Sequence, residues 1–293
     1  MSPSRRAAGC TTACGCAGLG ADPLCVPMFS IITACQNQAA TIKACVASVA
    51  EQRFTSVEHV IVDRHSRDDS LSRIHGERDR LSIVYGSAAD SRYRAWNRGI
   101  GQAQGEILGF LDADDTLAGP DVLQCVARAF AEPGVAAVCG DLLRVDARDL
   151  RLVKRRHRLG PPSAHKRARG WVPPIQALFV RKRWYRQLDG FSLDLGSAAG
   201  HAALLRLFAQ PTFHVVYLGE PVVRQRAGQP GLGRMLKVLR EPVYELRALR
   251  HTGLGGWQTW AWQRWSTLER VAVTGGGCTA WPGRHRRVRV RVR

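Results

Sequence analysis

A chain of 293 residues with 45% hydrophobic content is long enough for one large α/β domain plus a tail and can fill a core, which excludes disorder throughout. Lysine and arginine number 43 against 24 acidic residues, a formal charge of +19, which directs attention to anionic partners such as membrane lipid, nucleic acid or phosphorylated substrates. No apolar run reaches the ~18 residues that a membrane-spanning helix needs.

Residues 1–27 carry Arg5 and Arg6 followed by Gly, Ala, Thr and Cys without a strongly apolar stretch, so a secretory signal is weak and the segment is expected to lie outside the fold. Met28, directly before the first strand, reads as an alternative translation start. Cys10, Cys14, Cys16 and Cys25 lack the paired spacing and histidine partners of a zinc site. Cys35, Cys45, Cys125 and Cys139 fall inside apolar runs, where a free thiol behaves as a small hydrophobe, and the set fits a reducing compartment.

From Met28 the pattern alternates strand and helix. Phe29–Ala34 is an apolar strand, and Asn37 reads as the N-cap of a helix carrying Ile42, Cys45, Val46 and Val49. Val57–Val62 gives a second strand ending at Asp63, and Asp68–His75 a short helical turn. Leu81–Tyr85 is a third strand, Tyr93–Gln104 a helix stopped by Gly105, and Glu106–Leu111 a fourth strand ending in Asp112. Pro120 stands as the first residue of a helix with Val122, Val126, Ala129 and Phe130, and Val135–Val145 is a longer strand. Such alternation implies an α/β domain with a mostly parallel sheet flanked by helices. Ligands of such sheets bind outside the carboxyl ends of the strands, so Asp63 and Asp112 are expected to share one crevice.

Leu111-Asp112-Ala113-Asp114-Asp115 places three carboxylates within four residues after a buried strand. Hard divalent cations take oxygen ligands, and a cation bridging carboxylates to a diphosphate would fix it and neutralise its charge as it leaves. The competing reading is a solvated turn capping the next helix. Context decides between them. Val62-Asp63-Arg64-His65-Ser66-Arg67-Asp68-Asp69-Ser70 resembles the D-x-x-S-x-D-x-[TS] signature of family-2 glycosyltransferases. Ser30-Ile31-Ile32-Thr33-Ala34, Tyr93, Ala95, Asn97, Gly99 and Ile100, Gly105 through Asp115, and Gly140-Asp141-Leu142 are similar to further motifs of that family, in order, over about residues 28–225.

The resemblance implies a GT-A (Rossmann-like) domain over residues 28–228, with residues 229–293 as a helical, Trp-rich, basic extension. It implies transfer of a sugar from a nucleoside-diphosphate sugar to a glycan or lipid-linked acceptor in surface-polysaccharide assembly, with Mg2+ or Mn2+. Asp63 matches the position that contacts the nucleotide base, with Thr33 at the loop beneath it; Thr33, Asp63, Asn97 and Asp112 are the expected nucleotide-sugar contacts. Asp112, Asp114 and Asp115 carry over as the metal and diphosphate group.

Departures from the pattern accompany it. Where related enzymes carry A-A-D-[YHW]-E-L, with an acidic general base, this chain reads Ala198-Ala199-Gly200-His201-Ala202, and the base is missing. His201, Asp194 or a phosphate of the substrate are the candidate substitutes, against a reading of His201 as a helix-surface residue. Ile175 replaces a histidine in Trp171-Val172-Pro173-Pro174-Ile175-Gln176, Ser87 and Ala89 replace an acidic pair, and Arg94 replaces an aspartate. A catalytically impaired protein that binds nucleotide-sugar or partners without turnover is therefore the alternative. Arg144–Arg169, with ten basic residues, reads as a loop suited to a lipid diphosphate. Trp257, Trp260, Trp262 and Trp265 suit a membrane interface, and Arg284–Arg293 a basic end, so a cytoplasmic protein peripheral on the inner face of an anionic plasma membrane is expected. No DNA- or RNA-binding motif appears, which ranks nucleic acid last among partners.

Overall fold

The computed structural model describes residues 28–74, 81–163, 166 and 171–227. The Trp-rich and Arg-rich segments and the cysteines before Met28 lie outside the described residues.

Strands β1 (Phe29–Cys35), β2 (Val57–Asp63), β3 (Leu81–Tyr85) and β4 (Ile107–Phe110) form the parallel half of the sheet, in the order β3-β2-β1-β4. Three helices connect them: α1 (Ile42–Ala50), the short α2 (Ser70–Ile74) and α3 (Arg92–Gln102). Beyond β4 follow β5 (Thr116–Leu117), helix α4 (Val122–Phe130), β6 (Val135–Val145), β7 (Val153–His157), β8 (Leu178–Arg181), helices α5 (Lys182–Gln187) and α6 (Ala199–Phe208), and β9 (His214–Arg226). There β8 runs antiparallel to both β4 and β6, while β9 runs parallel to β6. The α/β architecture is the one the alternating pattern implies; antiparallel pairs enter only where that alternation ends.

Alternating side chains along the strands fill two cores, one on each face. Ile32, Val60, Leu108 and Phe110 face α3 and α6, packing with Trp96, Tyr185 and Phe191. Phe29, Ile31, Ile61 and Ile107 face α1 and α4, packing with Ile42, Val46, Leu123 and Val126. Gly99 sets how closely α3 approaches β1, since a Cβ there would meet Ile32 Cγ2 at 2.4 Å.

Three local expectations are corrected. Asn37 is not the cap of α1: Thr41 holds that position, while Asn37 sits in the left-handed region (φ 53°) and accepts from the Arg67 amide at 2.8 Å. Pro120 precedes α4 rather than opening it, with Asp121 at the N-cap. The basic segment after β6 is partly a hairpin, because Val153-Lys154-Arg155-Arg156-His157 pairs antiparallel with β6. In it Arg156 Nε donates to the buried Asp141 at 2.8 Å and Lys154 pairs with Asp146 at 2.7 Å, so those cations serve the fold. Cys35, Cys45 and Cys139 are buried free thiols as expected, whereas Cys125 lies on the exposed side of α4.

Candidate active site

The sheet delivers the site residues through register. β1 lies between β2 and β4, pairing Cys35 with Asp63 and Ile32 with Phe110. Both aspartate-bearing loops therefore leave the carboxyl edge on either side of β1, as the parallel topology predicts. Leu111 still donates to Ile32 at 3.0 Å, after which the chain turns, with the Asp115 amide donating to the Asp112 carbonyl at 2.9 Å.

That turn gathers the acidic trio. Asp112, Asp114 and Asp115 each offer a carboxylate oxygen within 4.8 Å of the others. Asp112 receives Arg92 Nη1 at 3.2 Å and Gln176 Nε2 at 2.7 Å. Asp115 is buried; its Oδ1 accepts the Arg226 amide at 3.0 Å, and its Oδ2 has no partner among the described residues. Burial, followed by repulsion from Asp112 and Asp114, pushes the Asp115 carboxyl up to about 8. Asp114 is raised too, by burial and then by Asp112. An orphaned carboxylate oxygen beside two more carboxylates is the donor set a hard divalent cation takes, so the residues fit Mg2+ or Mn2+.

Asp63 is 1% exposed and accepts from Ser66 twice, from its amide at 3.0 Å and from its hydroxyl at 2.5 Å. Asp68 does the same for Ser70, accepting at 3.0 Å from its amide, and also accepts from the Ala39 amide. The D-x-x-S-x-D-x-S signature thus folds as two aspartate turns that fix the loop after β2 against the start of α1.

The side chains of two expected nucleotide-sugar contacts have protein partners. Thr33 is fully buried, its hydroxyl bonded to His59 Nε2 at 2.9 Å, so its side chain faces the core. Asn97 bonds both ways to the Phe191 backbone, at 2.9 and 2.8 Å, and so clips the loop before α6 to α3.

At the expected base position, Gly200 and Ala202 are buried in the first turn of α6. A Cβ on Gly200 would meet the Tyr93 hydroxyl and Cε1 at 2.8 Å, so the tyrosine fills the space of a side chain there. Tyr93 donates to the Ser197 carbonyl at 3.1 Å and packs on Trp96 and Phe191, each with centroids 5.4 Å away. His201 is half-buried on α6: its Nε2 is buried without a partner among the described residues, and burial pushes its pKa down to about 4. Asp194 is exposed, on the 3-10 turn Leu193–Ala198 before α6.

Sequence reading missed three residues that shape the site. Arg92 spans the trio and Tyr93, with Nη1 on Asp112 and Nη2 3.4 Å from the Tyr93 hydroxyl, its guanidinium 4.9 Å from the Trp96 ring centroid. Arg226 Nε donates to the Asp114 carbonyl at 2.8 Å. Gln176 was visible only as the last residue of the Trp171–Gln176 segment.

A carboxylate trio at the carboxyl edge of a Rossmann-like sheet with antiparallel strands added beyond β4 is the arrangement of the GT-A fold. The fold is shared with Staphylococcus aureus TarS solved with UDP-GlcNAc, at a TM-score of 0.60 and 19% identity over 76% of this chain and 65% of that one. It is also shared with the Pyrobaculum calidifontis mannosyltransferase PcManGT solved with GDP-Man and Mn2+, at 0.57 and 20% identity over 80% and 66%. Residues 30–191 match Glycosyl transferase family 2, and the chain belongs to that family. A Mycobacterium tuberculosis glycosyltransferase is 31% identical over 61% of this chain and 68% of its own length. The Myxococcus xanthus O-antigen biosynthesis protein RfbC is 30% identical over 69% of this chain, which spans only 16% of that protein. Among the described residues no helix is long and apolar enough to cross a membrane.

Proposed function

We propose that the protein moves a sugar from a nucleoside-diphosphate sugar to a glycan or lipid-linked acceptor in surface-polysaccharide assembly. In this reading residues 28–228 form the transferase unit, and Asp112, Asp114 and Asp115 hold Mg2+ or Mn2+. The observation that carries it is the convergence of three carboxylates within 4.8 Å, one with an unpartnered buried oxygen. The names of relatives and of liganded neighbours support the donor class and the polysaccharide setting.

A divalent ion bound there would neutralise the charge of the departing diphosphate. The chain's own residues do the rest. Asp63, held by Ser66, keeps lone pairs free to accept an N–H from the nucleotide base. Gln176 and Arg92 fix the orientation of Asp112, and Arg226 ties the Asp114–Asp115 turn to β9. The net charge of +19 supports peripheral contact with an anionic membrane face, and the buried free thiols Cys35, Cys45 and Cys139 support a cytoplasmic setting.

The filled space at Gly200 favours a second reading, a binding protein with impaired turnover. Titrating the protein calorimetrically with UDP, GDP and dTDP, with and without Mn2+, and then assaying donor hydrolysis separates the two. Metal-dependent binding with turnover establishes an enzyme; binding without turnover leaves the impaired reading ahead; no binding refutes the transfer reading.

A further inference from the structure

We propose that the outer face of α3, α5 and α6 docks on an anionic lipid bilayer and so brings the rim of the crevice to the membrane surface. This deepens the transfer reading above, on whose membrane setting it rests.

Amphipathic patterning decides which side chains that face presents. All three helices pack on one side of the sheet: α3 buries Tyr93, Trp96 and Ile100 there, α5 buries Trp184 and Tyr185, and α6 buries Ala203, Leu204 and Leu207. Their exposed cations are Arg94 and Arg98 on α3, Arg183 and Arg186 on α5, and Arg206 on α6. None of the three helices contains an acidic residue. Lys182 Nζ donates to the Ala103 carbonyl, which ties the start of α5 to the end of α3.

Counter-charges do not cancel this face. Arg94 and Arg98 share one carboxylate, Asp90, at 3.8 and 3.1 Å. Arg183, Arg186 and Arg206 form no ion pair among the described residues, and the exposed acids nearby are Asp189 and Asp194, between α5 and α6. The opposite side of the sheet is balanced instead. Around α1, α2 and α4, Lys43, Arg53, Arg73 and Arg128 stand against Glu51, Asp69, Asp121 and Glu132.

A bilayer suits cations spread over three helices, because each one near an anionic leaflet adds its own attraction. No aromatic side chain is exposed on these helices, as stacking on nucleic-acid bases would need. Leu193, 39% exposed on the turn before α6, gives the face an apolar point for the headgroup layer. The face also reaches the site: α3 starts at Arg92, which holds Asp112, and the first turn of α6 abuts Tyr93. A lipid-linked acceptor in the leaflet would therefore meet the crevice at its rim.

The test sediments the full chain with phosphatidylcholine vesicles made with and without phosphatidylglycerol. Two triple variants lose equal charge: Arg183→Gln with Arg186→Gln and Arg206→Gln on the docking face, and Lys43→Gln with Arg73→Gln and Arg128→Gln on the opposite one. Every one of these side chains is exposed, so both variants should melt with the parent. Wild type should bind only the anionic vesicles and leave them in high salt. The docking-face triple should lose roughly a hundredfold in partition, about fivefold for each cation, and the opposite triple far less. On the vesicles, hydrogen exchange of wild type should slow in α3, α5 and α6 and not in α1 and α4. Equal losses in the two triples, no loss in the first, or a selective loss of binding to mixed-sequence DNA instead of vesicles overturns the proposal. A wild-type protein that ignores the anionic vesicles sinks the membrane setting and this proposal together, while the donor titration judges transfer separately.

Discussion

Gly200→Ala is expected to destabilise the protein, although alanine is the better helix former. In a helix interior the exchange gains ~0.8–1 kcal/mol, an upper bound for Gly200 in the first turn. Here the added methyl would stand 2.8 Å from both the Cε1 and the hydroxyl of Tyr93. The ring cannot swing aside cheaply, since Tyr93 is 7% exposed, bonded to Ser197 and wedged against Trp96 and Phe191. Overpacking of this kind costs ~1–3 kcal/mol, so the net change is a loss of about 1 kcal/mol. For a domain of this size that lowers Tm by ~2–4 °C. In a Tyr93→Leu background the obstacle is gone, and the same Gly200→Ala exchange should become stabilising. Calorimetric melting of the four proteins of this cycle reads both signs. A rise in Tm for Gly200→Ala in the wild-type background would refute the account of the filled base position.

Asp114→Ala should abolish metal-dependent donor binding, and stripping the protein with EDTA should do the same reversibly; calorimetry with UDP and GDP checks both. Asp63→Ala should weaken nucleotide binding while leaving Mn2+ binding intact, and unchanged donor affinity would remove Asp63 from the site. Gln176→Ala frees Asp112 from its 2.7 Å bond and should raise the donor Kd about tenfold, the loss of a hydrogen bond to a charged group. Burial lowers His59 to about 3 and His201 to about 4, so between those values and the ordinary 6.5 the unfolded chain binds protons that the folded one refuses. Stability therefore falls as pH drops below ~6.5, by about 2 kcal/mol per histidine at pH 5. His201→Phe should flatten the urea-unfolding profile over that range.

The parallel half of the fold was legible because its strands alternate with helices and its apolar runs are short and punctuated. The acidic turn was legible because its three carboxylates follow a buried strand amid the other family-2 motifs. Arg92, by contrast, is one arginine among many, and only the pairing of β1 with β4 brings Asp112 beside it. Motif position does not tell which way a side chain turns, and only the structure shows the Asn97 and Thr33 side chains bonded to the Phe191 backbone and His59. Asn37 was misplaced because asparagine serves both caps and left-handed turns, and here the turn uses it. The hairpin within the basic segment was hidden by its charge.

The contact between β9 and the acidic turn bears on how the protein matures. Arg226 reaches Asp115 across 111 residues of chain, so the turn cannot take its final shape until the last described strand has been made and has docked. A nascent chain thus completes β1 to β4 while its three carboxylates still face one another without that restraint. The site is assembled late, and competence for ligand reports on completion of the whole unit.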